Sequence, residues 1–224
     1  MTATFSTTPT TDRPWVHEMV VIHRVFRREF TLLPRLVREV ADGDTQRARP
    51  VAEALRLVLD GLHHHHLGED DILWPALLER AAPSTGLVET MQAQHDVVDG
   101  HAEKVAPLLD AWERTAASAT GARLADALDQ FAAALVEHLD LEEREILPLV
   151  ERHVTVAEWN SLGEHGIEEM DRKMLPILFG AILEDATPDE RRALLAKQPL
   201  AVRVLLRVVG ARQYRRFVSR VRGR

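Results

Sequence analysis

The chain has 224 residues, of which 46% are hydrophobic and 28% are charged, and its net charge is −7; this balance indicates a globular protein with one sizeable core. The absence of cysteine excludes disulfides, thiolate metal sites and a cysteine nucleophile. No apolar run reaches the roughly 20 residues that a membrane span requires, and the Thr-rich residues 1–12 lack the basic start and apolar stretch of an export signal. We therefore expect a disordered tail over 1–12, a cytoplasmic location and no membrane partner.

Helical periodicity dominates the chain, and strand signals are almost missing. Apolar residues spaced alternately by three and four form four stripes, which occupy residues 16–40, 51–76, 88–112 and 124–149. The stripes are separated by breaks at 41–46, 81–86 and 118–121. Long amphipathic helices joined by short loops predict an all-α fold, an up-down-up-down four-helix bundle over residues 13–153 with additional C-terminal helices.

Each stripe is interrupted by one histidine, and the second and fourth also carry a glutamate. Burying ionisable side chains costs several kcal/mol apiece unless they are paired or bind a metal. A bundle core is also where facing helices gather metal ligands. The candidate metal ligands are His23, His65, Glu69, His95, His138 and Glu142. The alternative is a polar network in a metal-free helical scaffold, which would tolerate alanine at His65 and Glu69.

Two segments of the chain resemble each other, residues 65–75 and 138–148. Both contain H-x-x-x-E followed by proline six residues after the glutamate. Because an offset of four residues is about 400° of helical rotation, each histidine lies one turn from its glutamate on nearly the same face. The alignment selects His65 among the four consecutive histidines. His66 with Asp70 is the out-of-phase competitor, and the other two histidines are expected at the surface or beside the ligands.

The ligand types narrow the choice of metal. Imidazoles and carboxylates without sulfur suit iron, manganese or zinc, whereas calcium and magnesium prefer oxygen ligands. Six ligands exceed what one tetrahedral zinc needs, and Glu69 and Glu142 can each bridge two ions. We therefore predict two metal ions. Iron is favoured because such a centre keeps coordination positions open for oxygen chemistry.

The motifs on the four helices resemble a known family. They are one histidine on the first helix, HHxxE-[ED]-x-x-L-[FW]-P on the second, QH on the third and HLxxEE on the fourth. This order of motifs resembles that of the hemerythrin-like, or HHE cation-binding, domain over roughly residues 13–153. The segments HHHHLGEDDILWP and EHLDLEEREILP look like those of actinobacterial members of the family. The resemblance implies the same six ligands, two iron ions with an oxo or hydroxo bridge, and a small ligand such as dioxygen, peroxide or nitric oxide.

The chain departs from the oxygen-carrying hemerythrins at two places. Those proteins place a second histidine four residues after the third-helix ligand, where this chain has Asp99, and they end on H-x-x-x-x-D, where this chain has His138-x-x-x-Glu142. The carrier arrangement of five histidines is therefore not reproduced, and simple reversible oxygen carriage is not expected. Asp99 remains open as a ligand, a residue beside the ligands or a surface residue. The off-stripe His17 and His101 are expected to be semi-exposed.

Residues 154–224 form a helical extension outside the resemblance. Thr155 with Glu158 predicts a capping box, and Thr187 followed by proline predicts the start of another helix. Residues 187–224 contain eleven Arg or Lys and two acidic residues, a net charge of +9. Since the whole chain has a net charge of −7, residues 1–186 carry −7 − 9 = −16. Such a basic segment can bind nucleic acid or anionic lipid, but interleaved Leu and Val favour folding back on the acidic body. Nucleic acid is therefore not expected as a partner.

The sequence leaves the activity open between two main hypotheses. The first is a di-iron protein for oxygen or redox sensing, storage or peroxide decomposition, so whether it is an enzyme is undecided and no residue is singled out as catalytic. The second is an iron- or oxygen-responsive regulatory module without turnover, whose basic C-terminal helices engage a partner. The extension itself has three possible roles, which are covering the bundle, forming a homodimer surface or contacting that partner.

Overall fold

A computed structural model describes residues 5–6, 8–9, 12–168 and 170–223, and its regular elements are all helical. The predicted all-α class is confirmed, with no strand among the described residues. The predicted disordered tail falls partly on residues 1–4, 7, 10 and 11, which lie outside that range. The α-helices are α1 (His17–Glu39), α2 (Thr45–Gly68), α3 (Trp74–Arg80), α4 (Thr85–Thr115), α5 (Ser118–Leu141), α6 (Leu147–His153), α7 (Val156–Glu168), α8 (Leu175–Glu184), α9 (Pro188–Ala196), α10 (Leu200–Leu205) and α11 (Ala211–Arg222).

The four long helices α1, α2, α4 and α5 form the bundle. Each packs against its two neighbours, α1 against α2 and α5, and α4 against α2 and α5. The predicted stripes form the core, where Phe30 and Phe131 stack with their ring centroids 4.5 Å apart. Leu33, Leu55 and Leu128 are fully buried around this pair. Burial of these apolar faces holds the four helices together.

One loop differs from its predicted position. The break expected at 118–121 lies earlier, because α4 ends at Thr115, the following Ala116 has a left-handed φ of 48°, and α5 begins at Ser118. Gly121 is therefore inside α5. A Cβ atom there would lie 2.8 Å from Nε1 of Trp112, so this glycine allows α5 to approach α4 closely.

Two π-helical turns interrupt the bundle helices at matching places. Glu69–Leu73 joins α2 to α3, and Glu142–Ile146 joins α5 to α6. Each wide turn is followed by a proline in the first turn of the next helix. Proline lacks an N–H donor and clashes with the carbonyl four residues earlier, and a π turn relieves this conflict within a continuous helix. The repeated H-x-x-x-E and proline segments thus adopt the same local structure twice.

The extension covers the bundle, which is one of its expected roles. Helix α7 packs against α2, and a Cβ atom at Gly68 would lie 2.8 Å from Cδ1 of Leu162. The predicted capping box is present at the start of α7, and Thr187 caps α9 as predicted, where Glu190 completes a second capping box. Helix α8 is tied to α1 by an ion pair of 2.5 Å between Arg28 and Asp185. No helix within the described residues is long and apolar enough to cross a membrane.

Candidate metal centre

The bundle brings all six predicted ligands into one interior space and adds a seventh residue, His66. Six of the seven side chains are buried, and the side chain of His65 is 9% exposed. They come from all four bundle helices: His23 from α1, His65, His66 and Glu69 from α2 and its π turn, His95 from α4, and His138 and Glu142 from α5 and its π turn.

These side chains form two groups that share one glutamate. The potential ligand atoms of each group lie within 4.8 Å of one another, and Glu69 belongs to both. The first group is His66, Glu69, His95 and His138. The second group is His23, His65, Glu69 and Glu142. Each group offers only imidazole nitrogens and carboxylate oxygens, a ligand set that suits iron, manganese or zinc.

The two glutamates occupy the middle of the cluster. Glu69 lies 3.1 Å from Nε2 of His65 and 3.3 Å from Nε2 of His95. Glu142 lies 3.2 Å from Nε2 of His23 and 3.9 Å from Nε2 of His138. Each carboxylate therefore contacts imidazoles from two different helices.

The residue after Glu69 and the residue after Glu142 are also carboxylates. Each lies at the edge of the cluster and contacts one of its histidines. Asp70 lies 2.9 Å from Nδ1 of His95, and Glu143 lies 2.9 Å from Nδ1 of His23. Histidine ligands of metals commonly donate their other ring N–H to a carboxylate, which sets the tautomer and the ring orientation. The Nε2 atoms of both rings are thus left facing the interior.

The cluster contains nearly all of the buried polar atoms that lack a hydrogen-bond partner. Among the described residues there are nine such side-chain atoms, and eight belong to this cluster. They are both ring nitrogens of His66, both oxygens of Glu69 and of Glu142, and Nε2 of His95 and of His138. An unsatisfied buried polar atom costs about 1–3 kcal/mol. So many convergent lone pairs fit bound cations, and the residues present therefore suit a metal centre.

The pKa values of two histidines in the cluster are raised. Burial alone would lower the pKa of His23 and of His95, but the carboxylates beside them raise it to about 9 and to about 10, so a cation that binds there would displace a proton from each ring.

The pKa shifts of the other three histidines and of Glu69 agree with a metal site. Burial lowers the pKa of His65 and His66 well below the usual range and lowers that of His138 to about 3, so these imidazoles stay neutral and able to bind a metal. Burial and the neighbouring Glu142 raise the pKa of Glu69 to about 8. Two carboxylates in one dry space repel each other, and cations relieve that repulsion.

His66 is the residue that the stripe pattern missed. Adjacent residues on a helix differ by about 100°, so His65 and His66 straddle the core. Nε2 of His65 lies 3.2 Å from Nε2 of His23, whereas the ring of His66 stacks on His95 with centroids 4.0 Å apart. The doubled histidine of HHxxE was the available signal, because two predicted ions each need nitrogen ligands.

The cluster contains one histidine more than the four in the predicted ligand set. Five histidine rings converge, although Asp99 replaces the extra histidine of the oxygen carriers. Asp99 itself is exposed and lines a surface groove between α2 and α4, so the structure places it away from the ligands. His63 is exposed in the same groove, and His64 lies 3.6 Å from Asp60.

The two off-stripe histidines have different surroundings. His101 is half-buried beside Phe131, in line with the expected semi-exposed position. His17 is buried, and its Nε2 lies 2.6 Å from Oε1 of Glu190 on α9. The expectation for His17 was wrong because its partner is 173 residues away in the sequence.

A helical bundle that gathers imidazoles and carboxylates from four helices defines a cation-binding protein. Residues 16–150 match the family model of the hemerythrin HHE cation-binding domain. This match covers more than half of the chain, so the chain belongs to that family. Comparisons with curated proteins and with solved structures give no match. The extension after residue 150 lies outside the family match.

Proposed function

We propose that this protein holds two iron ions in the bundle core and binds or reacts with dioxygen, peroxide or nitric oxide. The observation that carries the proposal is the pair of four-residue ligand groups sharing Glu69. His66, His95 and His138 would hold one ion, His23, His65 and Glu142 would hold the other, and Glu69 is available to both.

Bound iron supplies a redox-active Lewis acid with exchangeable coordination positions. The chain's own residues orient and shield it. Asp70 and Glu143 hold the outer nitrogens of two histidines, which fixes the direction of their inner nitrogens. Phe26 lies 5.3 Å from the ring of His65. Trp74, which is fully buried, covers the opposite side of the cluster next to His95 and excludes water there.

A regulatory module without turnover is the second candidate. The packing of α7 on α2 favours it, because Leu162 fits against Gly68, the residue directly before Glu69. A change at the ligands can therefore reach the extension through one contact. Peroxide turnover by the iron-loaded protein would support catalysis, whereas a stability change on metal loading without turnover would support regulation.

The first experiment is metal analysis of protein expressed with ample iron, together with its visible spectrum before and after azide is added. We expect about two irons per chain, because two groups of ligands are present. Charge-transfer bands in the near ultraviolet should shift with azide if a coordination position is open. Zinc alone, or no metal, would contradict the proposal.

A pair of neighbouring histidine variants tests the ligand assignment. His66→Ala should lower the iron content to about one per chain, because one group loses a nitrogen ligand. His63→Ala is the matched control, since that side chain is exposed three residues away, and its iron content should be unchanged. Equal loading of the two variants would remove His66 from the ligand set. His65→Ala tests the second group in the same way.

A further inference from the structure

The C-terminal segment presents an unusual amount of exposed apolar surface. Five large apolar side chains within ten residues are exposed, and we call them the C-terminal stripe. They are Leu200 at 73%, Val204 at 55%, Leu205 at 53%, Val208 at 67% and Val209 at 41% exposure. The chain is anchored just after the stripe, where the π turn Leu206–Gly210 packs against α8 and where Phe217 and Val221 of α11 are buried, whereas α10 contains no buried residue. The stripe is therefore exposed on the segment that leads into the attached helix α11.

Positive charge continues along the exposed residues that follow the stripe. Val204, Val208, Arg212 and Arg216 follow one another at steps of four, and all are exposed. No ion pair within the described residues involves Arg207, Arg212, Arg215 or Arg216. The sequence after Glu190 contains no acidic residue. The basic segment thus folds back on the acidic body at its two ends, where Lys197 pairs with Glu18 and where Arg222 lies 2.6 Å from Glu184.

A basic groove lies beside these arginines. It has a volume of about 680 Å³ and runs between α8 and α11. Three cationic side chains line it, those of Lys173, Arg216 and Arg220, together with Ile177 and Phe217. None of its lining residues is acidic. Such a groove offers cationic donors for a phosphate group next to an apolar wall.

We propose that the C-terminal stripe and its arginines bind the surface of an anionic lipid bilayer. A helix lying in the interface buries apolar side chains among the acyl chains while its arginines meet anionic headgroups. A bilayer offers both partners at once. A second copy docked stripe to stripe would bring unpaired arginines together, and nucleic acid would leave the valines and leucines uncovered. The expectation of no membrane partner rested on the lack of a spanning segment and on the basic segment folding back, and the stripe with its arginines lies between the two ends that fold back.

Sedimentation of the full chain with vesicles tests this proposal. Vesicles of phosphatidylcholine with about one third phosphatidylglycerol should bind the protein, and vesicles of phosphatidylcholine alone should bind it far more weakly. Binding should fall as salt is added. The double variant Val204→Asp/Val208→Asp should lose more than about tenfold in affinity, because two side chains no longer enter the bilayer. Val97→Asp is the control, since Val97 is 53% exposed on α4, outside the stripe.

A double variant that removes two positive charges completes the test. Arg212→Gln/Arg216→Gln should weaken binding to the anionic vesicles by about thirtyfold. The same change at the exposed Arg114 and Arg123 should leave binding unaltered. No binding to either vesicle would overturn the proposal. Concentration-dependent dimers that disappear in the valine variant, without vesicle binding, would assign the stripe to a second copy. Binding to duplex DNA that only the arginine variant weakens would assign it to nucleic acid.

Discussion

Asp70 and Glu143 each follow a glutamate of the cluster. Each carboxylate contacts the outer ring nitrogen of a cluster histidine and so fixes the orientation of that ring. Replacing Glu143 by glutamine keeps the shape but weakens the acceptor for Nδ1 of His23, which lies 2.9 Å away. We expect the affinity for iron to fall about 10–100-fold, measured by competition with a coloured chelator. Glu145→Gln is the control, because Glu145 is exposed and pairs with Arg144. Equal affinities of the two variants would contradict a positioning role for Glu143.

A different carboxylate, Glu190, links α9 to α1. Burial alone would raise its pKa, but hydrogen bonds from Arg24, His17 and the backbone N–H of Thr187 lower that pKa from 4.5 to about 2. Because the folded-state pKa is depressed, the stabilisation is complete above pH 4.5 and is lost as the pH falls towards 2. Glu190→Gln should cost on the order of 3 kcal/mol at pH 7 and almost nothing near pH 2.

Urea unfolding of the Glu190→Gln variant at several pH values measures this difference. The exposed neighbour Asp189 supplies the control, and Asp189→Asn should change the free energy of unfolding by less than about 1 kcal/mol at pH 7. A pH-independent difference between the Glu190 variant and the parent would show that the carboxylate does not act through its charge.

At the scale of elements, two helical glycines have opposite surroundings. A Cβ atom at Gly180 on α8 would clash with the ring and Cβ of Tyr214 on α11, whereas one at Gly163 on α7 would meet nothing within 4 Å. Gly180→Ala should therefore destabilise the protein by about 1–3 kcal/mol. Gly163→Ala should stabilise it by about 0.5–1 kcal/mol, since alanine favours a helix. Thermal unfolding distinguishes the two, and a Gly180→Ala variant as stable as the parent protein would contradict the packing of α11 on α8.

The bundle was predictable from the sequence because apolar spacing reports helix faces directly. The predicted stripes run through Glu69 and Glu142 with the period of a regular α-helix. In the structure a π turn begins at each of these two residues and interrupts that period. His66 was assigned out of phase for a different reason, because the stripe takes one residue per turn whereas His65 and His66 face the core from adjacent positions. The placement of the extension was not predictable, because it depends on contacts such as that between His17 and Glu190, far apart in the sequence. Local patterns showed where α9 starts but not where it docks.

For the whole molecule, the stability should depend on the metal. The cluster joins all four bundle helices, so bound iron would link them, and its removal would leave eight buried polar atoms without partners. If free iron exceeds its dissociation constant about a thousandfold, chelation should lower the melting temperature by on the order of 10 °C. His138→Ala should show a much smaller change on chelation. An unchanged melting temperature of the parent protein would exclude a structural role for the metal.

Trp74 has a further consequence for how this centre can be observed. Its indole is fully buried, and its ring centroid lies 5.7 Å from that of His95. Of the other three tryptophans, Trp112 packs against Gly121 and Trp15 packs in a separate cluster with residues of α9, whereas Trp159 belongs to the same apolar cluster as Trp74. Iron held by His95 would quench the fluorescence of a nearby indole. Loading the protein with iron should therefore decrease the fluorescence intensity of Trp74. Trp74→Phe should abolish most of that quenching, and the protein thus carries its own optical reporter of metal occupancy.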